Sequence, residues 1–192
     1  MEAGVFGAVL VAAALHAGWN AIVKVGHDRF LSITLISIAA AVISLPALPF
    51  VAVPRAEAWL WLLGSVLLHT GYNLFLIQAY RAGDLGQVYP IARGAAPLLV
   101  SLVMVLGFGE TLTPAAMAGV GLLVAGVWLM SVRGGRDLAK LERGAVAAAL
   151  ATSVFIAAYT ISDGLGARVS GSAPGYALWL FLLDGAAMLA IL

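Results

Sequence analysis

Seven apolar stretches dominate the chain, at approximately 4–24, 31–53, 58–80, 88–107, 114–131, 145–163 and 174–192. Each suits a bilayer-crossing helix, which takes about 20 mostly apolar residues because lipid offers no partner for backbone N–H and C=O groups. Transmembrane β-strands need short segments that alternate apolar and polar residues, whereas these runs are continuous. The expected fold class is therefore an all-α integral membrane protein, a polytopic helix bundle. Composition agrees, since 63% of the residues are apolar, 10% are charged and the mean hydropathy is +1.06, beyond the range of a soluble core under a polar surface. There is no cysteine, so disulfides and thiolate metal ligation are excluded, and no cofactor is implied. The first run lacks a basic leader and ends on Lys24, which suits a retained span rather than a signal peptide.

The connections are short and carry turn chemistry. Gly26-His27-Asp28, Pro54-Arg55, Gly83-Asp84-Leu85-Gly86 and Thr111-Leu112-Thr113-Pro114 each interrupt an apolar run, with Thr113 suited to a cap and Pro114 to a first helical position. One linker is long and charged. It occupies 132–144 and separates a first unit, 1–131, from a second, 145–192. A unit with an odd number of spans, duplicated in tandem, enters the membrane the second time upside down. The expected organisation is thus one five-helix repeat followed by the first two helices of an inverted repeat. Aligning span six on span one sets Ala14 and Gly18 against Ser153 and Ala157, Asn20 against Tyr159, and Lys24 against Asp163. Inversion would send Lys24 and Asp163 to opposite faces, where they do not pair. The side holding the connections after spans one, three and five carries Lys24, Arg29, Arg81, Arg93, Arg133, Arg136, Lys140 and Arg143, against Arg55 and Arg168 on the other. The positive-inside rule makes the first side cytoplasmic and leaves the amino terminus outside.

Within the apolar runs one phrase occurs twice, Leu15-His16-Ala17-Gly18-Trp19-Asn20 and Leu68-His69-Thr70-Gly71-Tyr72-Asn73. Polar groups inside a membrane are costly and usually have a task. At about 1.5 Å per residue both histidines fall near the middle of their spans, and the two spans run in the same direction. Asn20 and Asn73 follow four residues on, so each shares a helical face with its histidine. The pattern suggests one polar wall lining a central cavity, with His16, Asn20, His69 and Asn73 as hydrogen-bonding groups and Trp19 and Tyr72 as ring faces. The alternative is interhelical glue, worth about 0.6 to 2 kcal/mol per group. A histidine pair also suits a metal, but neither helix supplies a carboxylate or thiolate nearby.

Span four adds Tyr89, Pro90, Arg93 and Pro97. Each proline removes a donor, so a bent or unwound stretch is expected where Tyr89 and Arg93 project, with Arg93 placed to hold an anionic group or to pair with Asp84. Asp163 and Asp184 fall near span ends, where caps and interface roles are commoner than catalysis, and no serine–histidine–acid grouping is evident. The last run contains no lysine for a retinal Schiff base.

These residues also carry a resemblance. Gly83-Asp84-Leu85 through Pro90 and Pro97, then Leu106-Gly107-Phe108-Gly109-Glu110-Thr111-Leu112-Thr113 leading into Gly119 to Gly126, resembles the fourth and fifth helices of an EamA-type repeat in the drug/metabolite transporter superfamily. Trp19-Asn20 to Lys24 is similar to the end of its first helix. The resemblance covers 1 to about 131, and 145–192 is similar to the start of a second repeat. It implies a ten-helix carrier of two inverted repeats that moves a small metabolite or amphipathic solute by alternating access, with cytoplasmic termini, contrary to the charge count. Leu192 falls inside span seven, so the chain is expected to be a fragment of such a carrier. The expected partners are the lipid bilayer, a small-molecule substrate and protons as coupling ion through the histidines, with no nucleic acid; the expected location is the cell membrane, the inner one in a Gram-negative source. A membrane-embedded enzyme or flippase acting on a lipid-linked substrate is the alternative.

Overall fold

The computed structural model describes residues 3–25, 28–82, 85–134 and 143–192; side chains at 19–25, 85–87, 89 and 131–134, with a few others, lie outside that description. Among the described residues the chain forms seven α-helices: α1 (Ala3–Val25), α2 (Arg29–Ser44), α3 (Trp59–Ala82), α4 (Leu85–Phe108), α5 (Pro114–Gly134), α6 (Arg143–Val169) and α7 (Ala173–Ala190). Among the described residues, five stretches are long and apolar enough to cross a membrane: Arg29–Phe50, Ala56–Arg81, Pro90–Phe108, Arg143–Val169 and Ala173–Ala190. Val9–Gly18 and Pro114–Val127 are shorter apolar segments of α1 and α5. Phe50, Leu60, Leu106 and Leu122 are each at least three-quarters exposed, as befits side chains that face lipid. The protein is an all-α, multi-pass membrane protein.

Local chemistry sets the helix ends. Asp28 caps α2 through its Oδ1, which accepts from the Leu31 N–H at 3.1 Å, and Ser172 caps α7 by accepting from the Gly175 N–H at 3.1 Å. Thr113 accepts from the Ala116 N–H at 3.2 Å, with Pro114 in the first helical position as expected. The Gly-Glu-Thr-Leu-Thr stretch is the turn between α4 and α5. Gly109 takes a left-handed conformation there (φ 67°), a region that glycine enters without a Cβ clash.

Two expectations need correction. The second span is not one α-helix over 31–53; α2 ends at Ser44 and the chain tightens into a 3-10 segment, Leu45–Phe50, because Pro46 and Pro49 lack the N–H that an α-helix needs. The fourth span is not unwound; α4 is helical through both Pro90 and Pro97. Ser153 of α6 lies against that stretch, with Oγ 2.8 Å from the Ala92 carbonyl oxygen.

Packing is dominated by partners distant in sequence. The most extensive contact joins α3 to α6, followed by α4 to α6, α2 to α7 and α4 to α5, and among the described residues α1 meets α2. Helices α3 and α6 lie antiparallel in register. Phe75 stacks on Phe155, Tyr72 and His69 meet Tyr159, and Ser65 and His69 meet Asp163; further along, the Ser162 hydroxyl donates to the Trp61 carbonyl at 3.1 Å. Glycine makes the approach possible, since a Cβ at Gly71 would overlap the Phe155 ring.

Candidate functional site

The interior of the α3–α4–α6–α7 bundle holds a connected series of polar and aromatic groups. It starts on α4, where Arg93 donates through Nη2 to the Tyr72 hydroxyl at 2.8 Å and lies 5.5 Å from the centre of that ring. Arg93 also reaches the Tyr159 hydroxyl. Tyr159 then makes an edge contact with Tyr72 at 5.6 Å and stacks on the His69 ring at 3.9 Å. These separations fall in or near the range in which aromatic pairs attract beyond their burial.

The series ends on a carboxylate. Asp163 Oδ1 accepts from the Ser65 hydroxyl and, at 3.2 Å, from the Tyr176 hydroxyl, and Oδ2 lies 3.9 Å from His69 Nε2. Tyr176 is 2% exposed and Ser65 is fully buried, so the acid is held by groups that have no water to turn to. Asp163 is well within its helix, because α6 runs on to Val169 rather than stopping at 163 as expected; the acid lies roughly 9 Å inside that end. On α7, Asp184 sits beside Ser37 of α2 and within electrostatic reach of His69.

Of the residues singled out in the sequence, the structure brings His69, Tyr72 and Arg93 together. Asn73 is buried on the same helix, at 6% exposure. His16 is half-buried on α1, near enough to feel the Arg93 charge. The side chains of Trp19, Asn20, Lys24 and Tyr89 lie outside the described residues, as does Asp84, the proposed alternative partner of Arg93. Ser65, Tyr159, Asp163 and Tyr176 complete the cluster without having been singled out as a set. The one available signal was chemical: Asp163 is an acid within an apolar run.

A separate groove of about 130 Å³ opens between α4 and α6, with Val100 and Met104 on one wall, Thr160 and Gly164 on the other, and Arg168 at its lining. It is mostly apolar.

Comparison with known proteins agrees with this architecture. A multidrug transporter of Pseudomonas aeruginosa is 39% identical to the chain over 70 residues, which is 35% of this chain and 64% of that protein. The chain thus spans a little under two thirds of the length of that curated relative. No solved structure matches the chain significantly. The model of the EamA-like transporter family matches residues 3–132, from α1 into α5, and the chain belongs to that family.

Proposed function

We propose that the chain is the solute-handling part of a secondary transporter that moves a small polar or amphipathic solute by alternating access. One observation carries this reading: α3, α4 and α6 place ring faces, a guanidinium and a carboxylate in one interior cluster, Arg93–Tyr72–Tyr159–His69–Asp163. Buried charge in a membrane bundle is costly, and such groups commonly mark a solute or ion path. In this reading His69, Asn73 and Arg93 supply hydrogen bonds, with His16 and Asn20 from α1, and Tyr72, Tyr89, Tyr159 and Trp19 supply ring surface. The relative's description as a multidrug transporter supports an amphipathic solute.

The packing supports an inverted repeat. α2 packs chiefly on α7, the helix that would be its symmetry mate, and two mates in contact stand on either side of a two-fold axis. The two repeats would rock about the site, exposing it to one side of the cell membrane at a time. A flippase for a lipid-linked substrate is favoured by one feature, the apolar groove with Arg168 at its lining, which suits an acyl chain with an anionic head.

Reconstitution of the full-length protein in liposomes tests the proposal. Ethidium, radiolabelled amino acids and radiolabelled nucleosides serve as probes beside a fluorescent phospholipid. Saturable uptake of a soluble probe that falls at least about tenfold in His69→Ala/Asn73→Ala, with insertion unchanged, is the expected result. Normal uptake in that variant would return both residues to helix glue, and movement of the phospholipid alone would establish the flippase.

A further inference from the structure

The partners of His69 and Asp163 leave one place for a proton. The Ser65 hydroxyl has a single hydrogen, which it directs at Asp163 Oδ1. Towards His69 Nδ1, 3.1 Å away, the same oxygen can therefore only accept. The Ser65 carbonyl oxygen, 3.0 Å from that nitrogen, can also only accept. Nδ1 consequently carries the ring hydrogen. In a neutral imidazole this leaves the Nε2 lone pair, and Nε2 faces Asp163 Oδ2 across 3.9 Å. Asp163 Oδ1 is already engaged by two hydroxyls, so Oδ2 is the oxygen left to respond. Two acceptors facing each other in a low-dielectric interior repel until a proton joins one of them.

We propose that His69 Nε2 and Asp163 Oδ2 form a single-proton site, and that its loading couples solute movement to protons. The proposal rests on the carrier reading for its second half alone. The proton comes from water and adds to Nε2, giving an imidazolium–carboxylate pair, or to Oδ2, giving a neutral acid hydrogen-bonded to imidazole. No other bond changes.

The surroundings favour one added charge. Around His69, α6 presents Tyr159 and Asp163, α7 presents Tyr176 and Asp184, α4 presents Arg93 through Tyr72 and Tyr159, and α1 presents His16 near Arg93. From α2 comes the uncharged Ser37, beside Asp184. Among the described residues this group holds two aspartates and one arginine, so an added positive charge meets more acid than base. Tyr159, stacked on the imidazole, offers its ring face to the cation that forms. The 3.9 Å gap lies between two helices, α3 and α6, so the proton is shared across their interface.

Nitrogen-15 NMR of histidine-labelled protein in lipid nanodiscs reads the site without any solute. His69→Gln assigns the resonance among the three histidines of the chain. Expected is a neutral His69 ring with its hydrogen on Nδ1 and an Nε2 signal that shifts when the site takes up its proton, a response that changes in Asp163→Asn and returns towards the original in Asp163→Glu. An identical response in Asp163→Asn, or an Nε2 that carries the hydrogen in the neutral ring, overturns the site. Proton flux through liposomes, followed with an entrapped pH dye, tests the coupling. Solute uptake with no accompanying proton movement overturns the coupling and leaves the carrier reading standing; a titrating pair in a protein that moves no probe overturns the carrier reading instead.

Discussion

At the scale of single residues, the fate of the Asp163 carboxylate turns on two hydroxyls that donate to one oxygen. Ser65→Ala or Tyr176→Phe leaves the other donor in place, so each is expected to cost about 1 to 2 kcal/mol of stability. Removing both strips Oδ1 of its protein partners, and the double variant is expected to lose at least about 0.5 kcal/mol more than the sum. Denaturant unfolding of the four proteins in micelles measures this, and strict additivity would show that water takes over either position. These donors also mark where sequence reading stops. His69 and Tyr72 are legible because an imidazole and an asparagine repeated inside apolar runs are conspicuous. Ser65 and Tyr176 are not, since a serine or tyrosine in a membrane helix is ordinary until a neighbouring helix brings a carboxylate to it. Asp163 has the cost of burial written into the sequence, but its apparent place at a span end hid it. The helix continues past that point over Gly164, Gly166 and Arg168, residues whose low apolarity reads as a connection.

At the scale of helices, close approach is set by small residues whose worth is visible only in the packed pair. A Cβ at Gly185 of α7 would lie 2.5 Å from Ala41 Cβ and 2.7 Å from the Ser37 carbonyl oxygen of α2, and a backbone atom has no rotamer into which to retreat. Gly185→Ala is therefore expected to lower unfolding stability by about 1 to 3 kcal/mol, with Gly185→Leu worse. Gly126 of α5 has open space where its Cβ would go, so Gly126→Ala should be neutral or stabilising by up to about 1 kcal/mol through helix propensity. Thermal melts of the purified protein separate the two, and equal losses would show that glycine matters here for the helix itself rather than for the crossing. Helix ends are the most legible layer, because Asp28, Thr113 and Pro114 act through bonds only three residues long. The contact that Ser153 makes with the Ala92 carbonyl of α4 is not legible, because the two lie about sixty positions apart in sequence.

At the scale of the whole molecule, the alternation of crossings predicts which connections share a face of the membrane. The Arg55 N–H donates to the Ser170 carbonyl at 3.0 Å, which fixes the α2–α3 and α6–α7 connections at one end of the bundle, as an even number of crossings between them requires. The α4–α5 turn should stand at that same end, and the start of α2 at the opposite one. The chain has no cysteine, so each position can be tested alone. Glu57, Thr111 and Asp28 are exposed and lie in or beside connections, so Glu57→Cys, Thr111→Cys and Asp28→Cys should leave packing undisturbed. With a membrane-impermeant maleimide on intact cells, Glu57→Cys and Thr111→Cys are expected to react alike and Asp28→Cys oppositely. Which pair reacts decides between two physical arguments. The excess of lysine and arginine on the Asp28 side holds that side in the cytoplasm and leaves Glu57 and Thr111 labelled from outside. The reverse pattern would place the amino terminus inside, and would mean that basic residues on that side, Arg93 above all, act on solute and neighbours rather than on insertion. Unlike labelling of Glu57→Cys and Thr111→Cys would remove one crossing between them. In that event α3 and α4 would not both span the membrane, and Arg93 could not meet Tyr72 at the depth where their hydrogen bond now lies.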